Sequence, residues 1–164
     1  STYIFDFLSI KAPTMIDDYN LEPFSINVLN YKRTFCEKIS AIARASHESD
    51  GEYTQLKEKI RHFYDIYFLM NEDEIDTFLK SDEFVDMIRK VRADDQNQFN
   101  QNNWASVELH TTKIFTDTST VLDELSSFYA NDFKDLVYAK TQPKMDDIKI
   151  KIEALANILT NKEL

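Results

Sequence analysis

Residues 53–70 read YTQLKEKIRHFYDIYFLM. Leu56, Ile60, Phe63, Tyr67 and Met70 recur there every three or four residues, the spacing of one helical face. No glycine or proline interrupts the run, so it predicts a single helix over 53–70. The same pattern extends outward. Asn71, with Glu74 three residues on, caps a helix over about 72–79, and Ser81 caps one over about 82–98 that carries Phe84, Val85, Ile88 and Val91. Upstream, Thr34 and Glu37 fit a capping box for a helix running to about residue 47. Asp117 or Thr118 opens a helix through Tyr129, and Asn131 a short one through Tyr138. Pro143 precedes a terminal helix whose stripe is Met145, Ile148, Ile152, Leu155 and Ile158 or Leu159.

Only the N-terminal segment departs from this pattern. Residues 2–10 are apolar at 3, 4, 7 and 8, which suits a helix, although so short and aromatic a run also suits a strand. Residues 14–20 form a helical turn. Residues 24–29 alternate apolar and polar after Pro23 and are the best strand in the chain. That strand has no evident partner here, and a lone strand leaves its backbone unsatisfied. The expected fold is mainly α, with about six to seven helices and one or two strands near the N-terminus. Ser49-Asp50-Gly51 and the Gln/Asn-rich stretch from Gln96 to Asn103 read as loops.

Composition agrees. The 164 residues hold one glycine and three prolines, too few for a protein rich in hairpins. Apolar residues make up 43% and aromatics 13%, enough for a real core. No apolar run is long enough to span a membrane. The single cysteine, Cys36, cannot form an internal disulfide, which fits a reducing, cytoplasmic setting. The net charge of −10 argues against a nonspecific nucleic-acid binder. Positive charge nevertheless gathers early, in Arg33, Lys38, Arg44, Lys57, Lys59 and Arg61, while the acidic surplus lies later, as in 71–86.

Two segments place charge on otherwise apolar helices: Arg33-Thr-Phe-Cys-Glu-Lys38 and Arg61-His-Phe-Tyr-Asp65. If Thr34 is the N-cap, Lys38 sits at N4, close to the free amides of the first turn, which attract anions. Two readings fit it: a phosphate-binding lysine, or a surface lysine lying over apolar neighbours. Glu37 and Arg44 share a face two turns apart. Arg61 and Asp65 are four apart and can pair. An exposed pair of this kind adds only about 0.3–0.5 kcal/mol; a buried Asp65 would need a partner, because burying an unpaired charge is costly. Cys36 has no histidine at a recognisable spacing and reads as core. His47, His62 and His110 form no zinc pattern. Glu74-Ile75-Asp76 reads as solvated surface, and Trp104 as a core anchor.

Taken together, Asn20 to Leu29, Arg33-Thr-Phe-Cys-Glu-Lys-Ile39, Ile60-Arg-His-Phe-Tyr-Asp-Ile-Tyr67 and Asp132 to Tyr138 resemble the C-terminal portion of the AbiEii/AbiGii nucleotidyltransferase toxin family. The likeness runs from about residue 3 to about residue 140. It implies a polymerase-β-like nucleotidyltransferase domain followed by a helical domain, in bacterial toxin–antitoxin and phage-defence systems. It implies nucleotide transfer from an NTP to an acceptor, in some relatives a tRNA end, with Mg²⁺ as cofactor. On this likeness Lys38 and Asp65 are the catalytic residues, and Lys38, Arg61 and Arg44 bind nucleotide. Many relatives carry aspartate where this chain has His62.

The family's Gly-Gly/Ser-Thr loop and metal-holding Asp-x-Asp pair have no counterpart in this sequence. Phosphoryl and nucleotidyl transfer depend on such clamping of charge. The expectation is therefore a C-terminal segment: residues 1–32 as the edge of a nucleotidyltransferase domain whose sheet would pair strand 24–29, and 33–164 as the helical domain. Expected partners are that N-terminal domain, a cognate antitoxin and tRNA, with no membrane. The alternative is a non-catalytic helical module that binds an antitoxin or another protein.

Overall fold

The computed structural model describes residues 2–23, 30–99, 101–133 and 142–164. Ten α-helices occur among the described residues: α1 (Thr2–Lys11), α2 (Pro13–Tyr19), α3 (Tyr31–Glu48), α4 (Thr54–Glu58), α5 (Ile60–Leu69), α6 (Asp73–Lys80), α7 (Asp82–Gln98), α8 (Lys113–Thr116), α9 (Thr118–Phe128) and α10 (Met145–Asn161). Short 3-10 turns at Trp104–Ser106 and Leu109–Thr111 and a π turn at Tyr129–Phe133 complete them. The chain is mainly α, and no strand occurs among the described residues. The strand expected at 24–29 lies outside them, as do residues 134–138 of the helix expected to end at Tyr138.

The helix α3 is the axis of the molecule. It packs most extensively along α7 and also meets α5, α8 and α4, while α10 lies against α5 and α9. Such a position needs apolar residues on several faces, and α3 buries Phe35, Cys36, Ile39, Ile42, Ala43 and Ala45. Around it close Leu56, Phe63 and Ile66, Phe84, Ile88 and Val91, Val121, Leu122 and Leu125, and Ile148, Ile152, Leu155 and Leu159, forming one contiguous core. Trp104 is fully buried and donates its Nε1–H to Asp95 Oδ2 at 2.7 Å, so its one polar atom is satisfied. The C-terminal end is tied down at Leu164, whose carbonyl accepts from the His110 backbone N–H at 2.9 Å.

Several boundaries differ from expectation, for identifiable reasons. The N-cap of α3 is Asn30, whose side chain accepts from Lys32 N–H at 2.8 Å; Thr34 lies one turn inside, its hydroxyl donating back to the Asn30 carbonyl. Both residue types cap well, and the one preceding the apolar Tyr31 takes the position. The helix expected over 53–70 is two. Lys59, at φ −101° and ψ 11°, bonds back three residues to Leu56 and so separates α4 from α5. Tyr53, at φ 55°, holds the left-handed conformation that glycine takes more readily. It is nearly buried, and its hydroxyl accepts from Lys113 Nζ. In α6 the N-cap is Glu72, without a side-chain cap bond, rather than Asn71; Glu74 instead accepts from the Tyr31 hydroxyl. Ser81 does precede α7, but its hydroxyl donates backwards to the Phe78 carbonyl. Residues 2–10 are helical, and these breaks and short pieces raise the helix count above the six to seven expected.

Candidate functional site

Two crossing helices build the candidate site. On α3, Lys38 lies about two turns from the start, not close to the free amides of the first turn as a Thr34 cap would place it. On α5, Ile60, Phe63 and Ile66 face the core, which leaves Arg61, His62 and Asp65 along the flank. The α3–α5 contact brings Lys38 and Asp65 together: Lys38 Nζ donates to Asp65 Oδ2 at 2.7 Å. Both side chains are largely covered, at 17% and 24% exposure. The pair therefore sits between the weak exposed and the costly buried regimes. Arg61 Nε stands 3.9 Å from the same oxygen and is 79% exposed, so the i, i+4 pairing is loose and the guanidinium remains open to solvent.

Asp65 pairs with Lys38 and, loosely, with Arg61, and Lys59 forms no ion pair among the described residues. Burial, followed by the cations Lys38, Lys59 and Arg61, pushes the His62 pKa down to about 4, and Asp65 acts the other way. His62 is therefore neutral near pH 7. Its Nδ1 is buried and has no hydrogen-bond partner.

Arg44 is placed elsewhere. It lies about 120° round α3 from Lys38, being six residues on at about 100° each. Its Nε donates to Asp95 Oδ2 at 3.2 Å, its Nη1 is 3.7 Å from Glu48, and its guanidinium stacks 3.7 Å from the centre of the Phe99 ring. Asp95 also accepts from Ser40 at 3.2 Å and from Trp104. Arg44 thus joins α3 to α7 and is not brought to Lys38. Glu37, expected to share a face with Arg44, pairs with Arg33 at 2.9 Å; Arg33 also reaches Asp94 at 2.7 Å. Cys36 is fully buried, and burial pushes its thiol up to about 12.

The donor set at the site does not fit Mg²⁺. That ion takes hard oxygen ligands in octahedral geometry, one or two carboxylates among them. Asp65 is a lone carboxylate already held by Lys38, and no cluster of three His, Cys, Asp or Glu residues capable of holding a metal occurs among the described residues. The arrangement can hold a polyanion. Lys38 has three donors and can exchange Asp65 for a phosphate oxygen, and Arg61 offers a largely exposed planar fork.

Sequence reasoning singled out Lys38, Arg61 and Asp65, and the fold gathers these three. It missed the junction built on Asp95. The signal was present: Asp95 continues the buried stripe Phe84, Ile88, Val91 at helical spacing, and a carboxylate on a buried stripe demands partners.

A protein-family model described as Nucleotidyl transferase AbiEii toxin, Type IV TA system, matches residues 3–157. The chain belongs to this family. The match covers α1 through most of α10, so Lys38, Arg61 and Asp65 all fall within it. No curated protein and no solved structure gives a significant match. No AbiEii helix among the described residues of this chain is long and apolar enough to cross a membrane.

Proposed function

We propose that this AbiEii-family chain is the helical C-terminal part of a nucleotidyltransferase toxin that moves a nucleotide from an NTP to an acceptor such as tRNA. In this reading Lys38 and Arg61 hold the NTP phosphates, and Asp65 holds Lys38 in place until the nucleotide arrives and then orients it. Arg44 contributes by fixing α3 against α7, so that Lys38 is presented rigidly. The observation that carries the reading is the largely covered Lys38–Asp65 pair with the exposed Arg61 beside it. The family's description supports the reaction class.

The Asp-x-Asp carboxylates that would hold Mg²⁺ belong, on this proposal, to a nucleotidyltransferase domain preceding the helical one, with residues 1–32 at its edge. The Mg²⁺ would act there, and the cytoplasm, where NTP and tRNA meet, is the proposed setting. In the intact protein, Lys38→Ala should lower NTP transfer by roughly 10²-fold, the usual effect of removing one charge-stabilising donor. Unchanged transfer in Lys38→Ala and Asp65→Ala would sink the assignment. Ordinary transfer of labelled NTP by residues 1–164 alone would sink the division of labour.

A second reading is favoured by one observation. In α1 and α2, Phe7 is 56% exposed, Ile10 77% and Tyr19 66%, more apolar surface than a short helical pair needs to show to water. A non-catalytic module that binds an antitoxin or another protein would use such a face. It predicts antitoxin binding that survives Lys38→Ala and is lost in Phe7→Ser/Ile10→Ser.

A further inference from the structure

A second arginine, remote in sequence from the Lys38–Asp65 pair, lies against the buried face of α7. The guanidinium carbon of Arg92 is 5.0 Å from the centre of the buried Trp104 ring. Its Nη1 is buried and has no hydrogen-bond partner, and Arg92 forms no ion pair among the described residues. Asp95, one turn on, is already held by Arg44, Ser40 and Trp104. Burial lowers the Arg92 pKa, and Glu108 and Asp95 act the other way. The guanidinium keeps its proton all the same, so a partly buried charge is left without a close partner, which is costly. The same side chain lines a cleft of about 170 Å³ between α7, the 3-10 turn at Leu109–Thr111 and residues 163–164. Ile88, Leu109 and Leu164 give that cleft an apolar wall. The exposed Arg89, Glu108 and Glu163 also line it.

We propose that this cleft binds a small organic monocarboxylate, its carboxylate on the Arg92 guanidinium and its apolar body on Ile88, Leu109 and Leu164. The proposal is independent of the nucleotide reading of Lys38 and Arg61. A carboxylate matches the planar fork of arginine, and it neutralises the whole guanidinium rather than Nη1 alone. The size agrees, since an apolar cavity of about 150 Å³ holds a benzene ring. The charges around the cleft set the class of anion. Glu108 and Glu163 outnumber Arg89, so one added negative charge is balanced by Arg92, whereas a phosphate brings more charge against two carboxylates.

The test is equilibrium binding of benzoate, benzyl alcohol and inorganic phosphate to the intact protein, for the wild type, Arg92→Gln, Glu108→Gln and Lys38→Ala, each confirmed as folded by its melting curve. Benzoate should bind saturably at one site, and benzyl alcohol and phosphate at least about tenfold more weakly, the scale of a hydrogen bond to a charged group. Arg92→Gln should weaken benzoate by about the same factor. Glu108→Gln removes a like charge and leaves Arg92 in place, so it should tighten benzoate about threefold, the scale of one exposed charge pair. No saturable benzoate binding overturns the proposal, as does equal affinity in a folded Arg92→Gln. Where Arg92→Gln does not fold, Glu108→Gln decides, and benzoate affinity unchanged there overturns it. Loss of benzoate in Lys38→Ala but not in Arg92→Gln would place the ligand at the α3–α5 contact, and phosphate binding as tightly as benzoate would contradict the class of ligand; either result overturns the proposal.

Discussion

His62 and Cys36 sit on adjacent helices, and burial acts on both in opposite directions. Burial disfavours whichever form is charged, so it lowers the imidazole pKa and raises that of the thiol. The His62 pKa of about 4 in the fold, against 6.5 when unfolded, means that the unfolded chain binds the extra proton first. The contribution of His62 to stability is therefore complete above pH 6.5 and is lost as pH falls from 6.5 towards 4. Urea melts of the wild type and His62→Gln should converge as pH drops through that window and run parallel above it; parallel behaviour throughout would show that the ring is not buried as described. For Cys36, a pKa near 12 and complete burial predict no alkylation by iodoacetamide at pH 8 in the native state and full alkylation in denaturant. Labelling of the native protein would contradict the position of Cys36 in α3.

At the scale of the element, α3 and its junction with α7 carry the most testable structure. Asn30→Ala should cost about 1 kcal/mol, the usual loss of an N-cap, while Thr34→Ala should cost about 0.5 kcal/mol or less. The reverse order would restore the cap predicted from the sequence. Asp95→Ala strips the partner from Arg44, Ser40 and Trp104 together. Chemical denaturation should show a loss of about 3 kcal/mol, in the range for breaking a buried pair from one side. The periodic apolar stripes made the helices legible: Phe84, Ile88 and Val91, and Met145 through Leu159, are buried as their spacing requires. The ends were less legible, because Asn30 and Thr34 compete for one cap and a single side-chain bond decides between them. The break at Lys59 leaves no mark in the apolar period at all, since Leu56, Ile60 and Phe63 stay in phase across it.

The whole molecule is an all-helical body around α3 among the described residues, and the partly buried Lys38–Asp65 pair lies where α3 meets α5. Lys38 and Asp65 are twenty-seven residues apart in sequence and 2.7 Å apart in the fold. The sequence marked each as unusual, but periodicity alone could not pair them, because Arg61 offered Asp65 a closer partner at i, i+4. The fold prefers Lys38 and leaves Arg61 open, and that exchangeable arrangement supports a nucleotide-phosphate site. Equilibrium binding of labelled NTP to the intact protein, compared with its Lys38→Ala variant at equal thermal stability, tests this most directly. The account predicts at least about a tenfold loss of affinity, the scale of one charge-assisted contact. Equal affinity in the two proteins would contradict it.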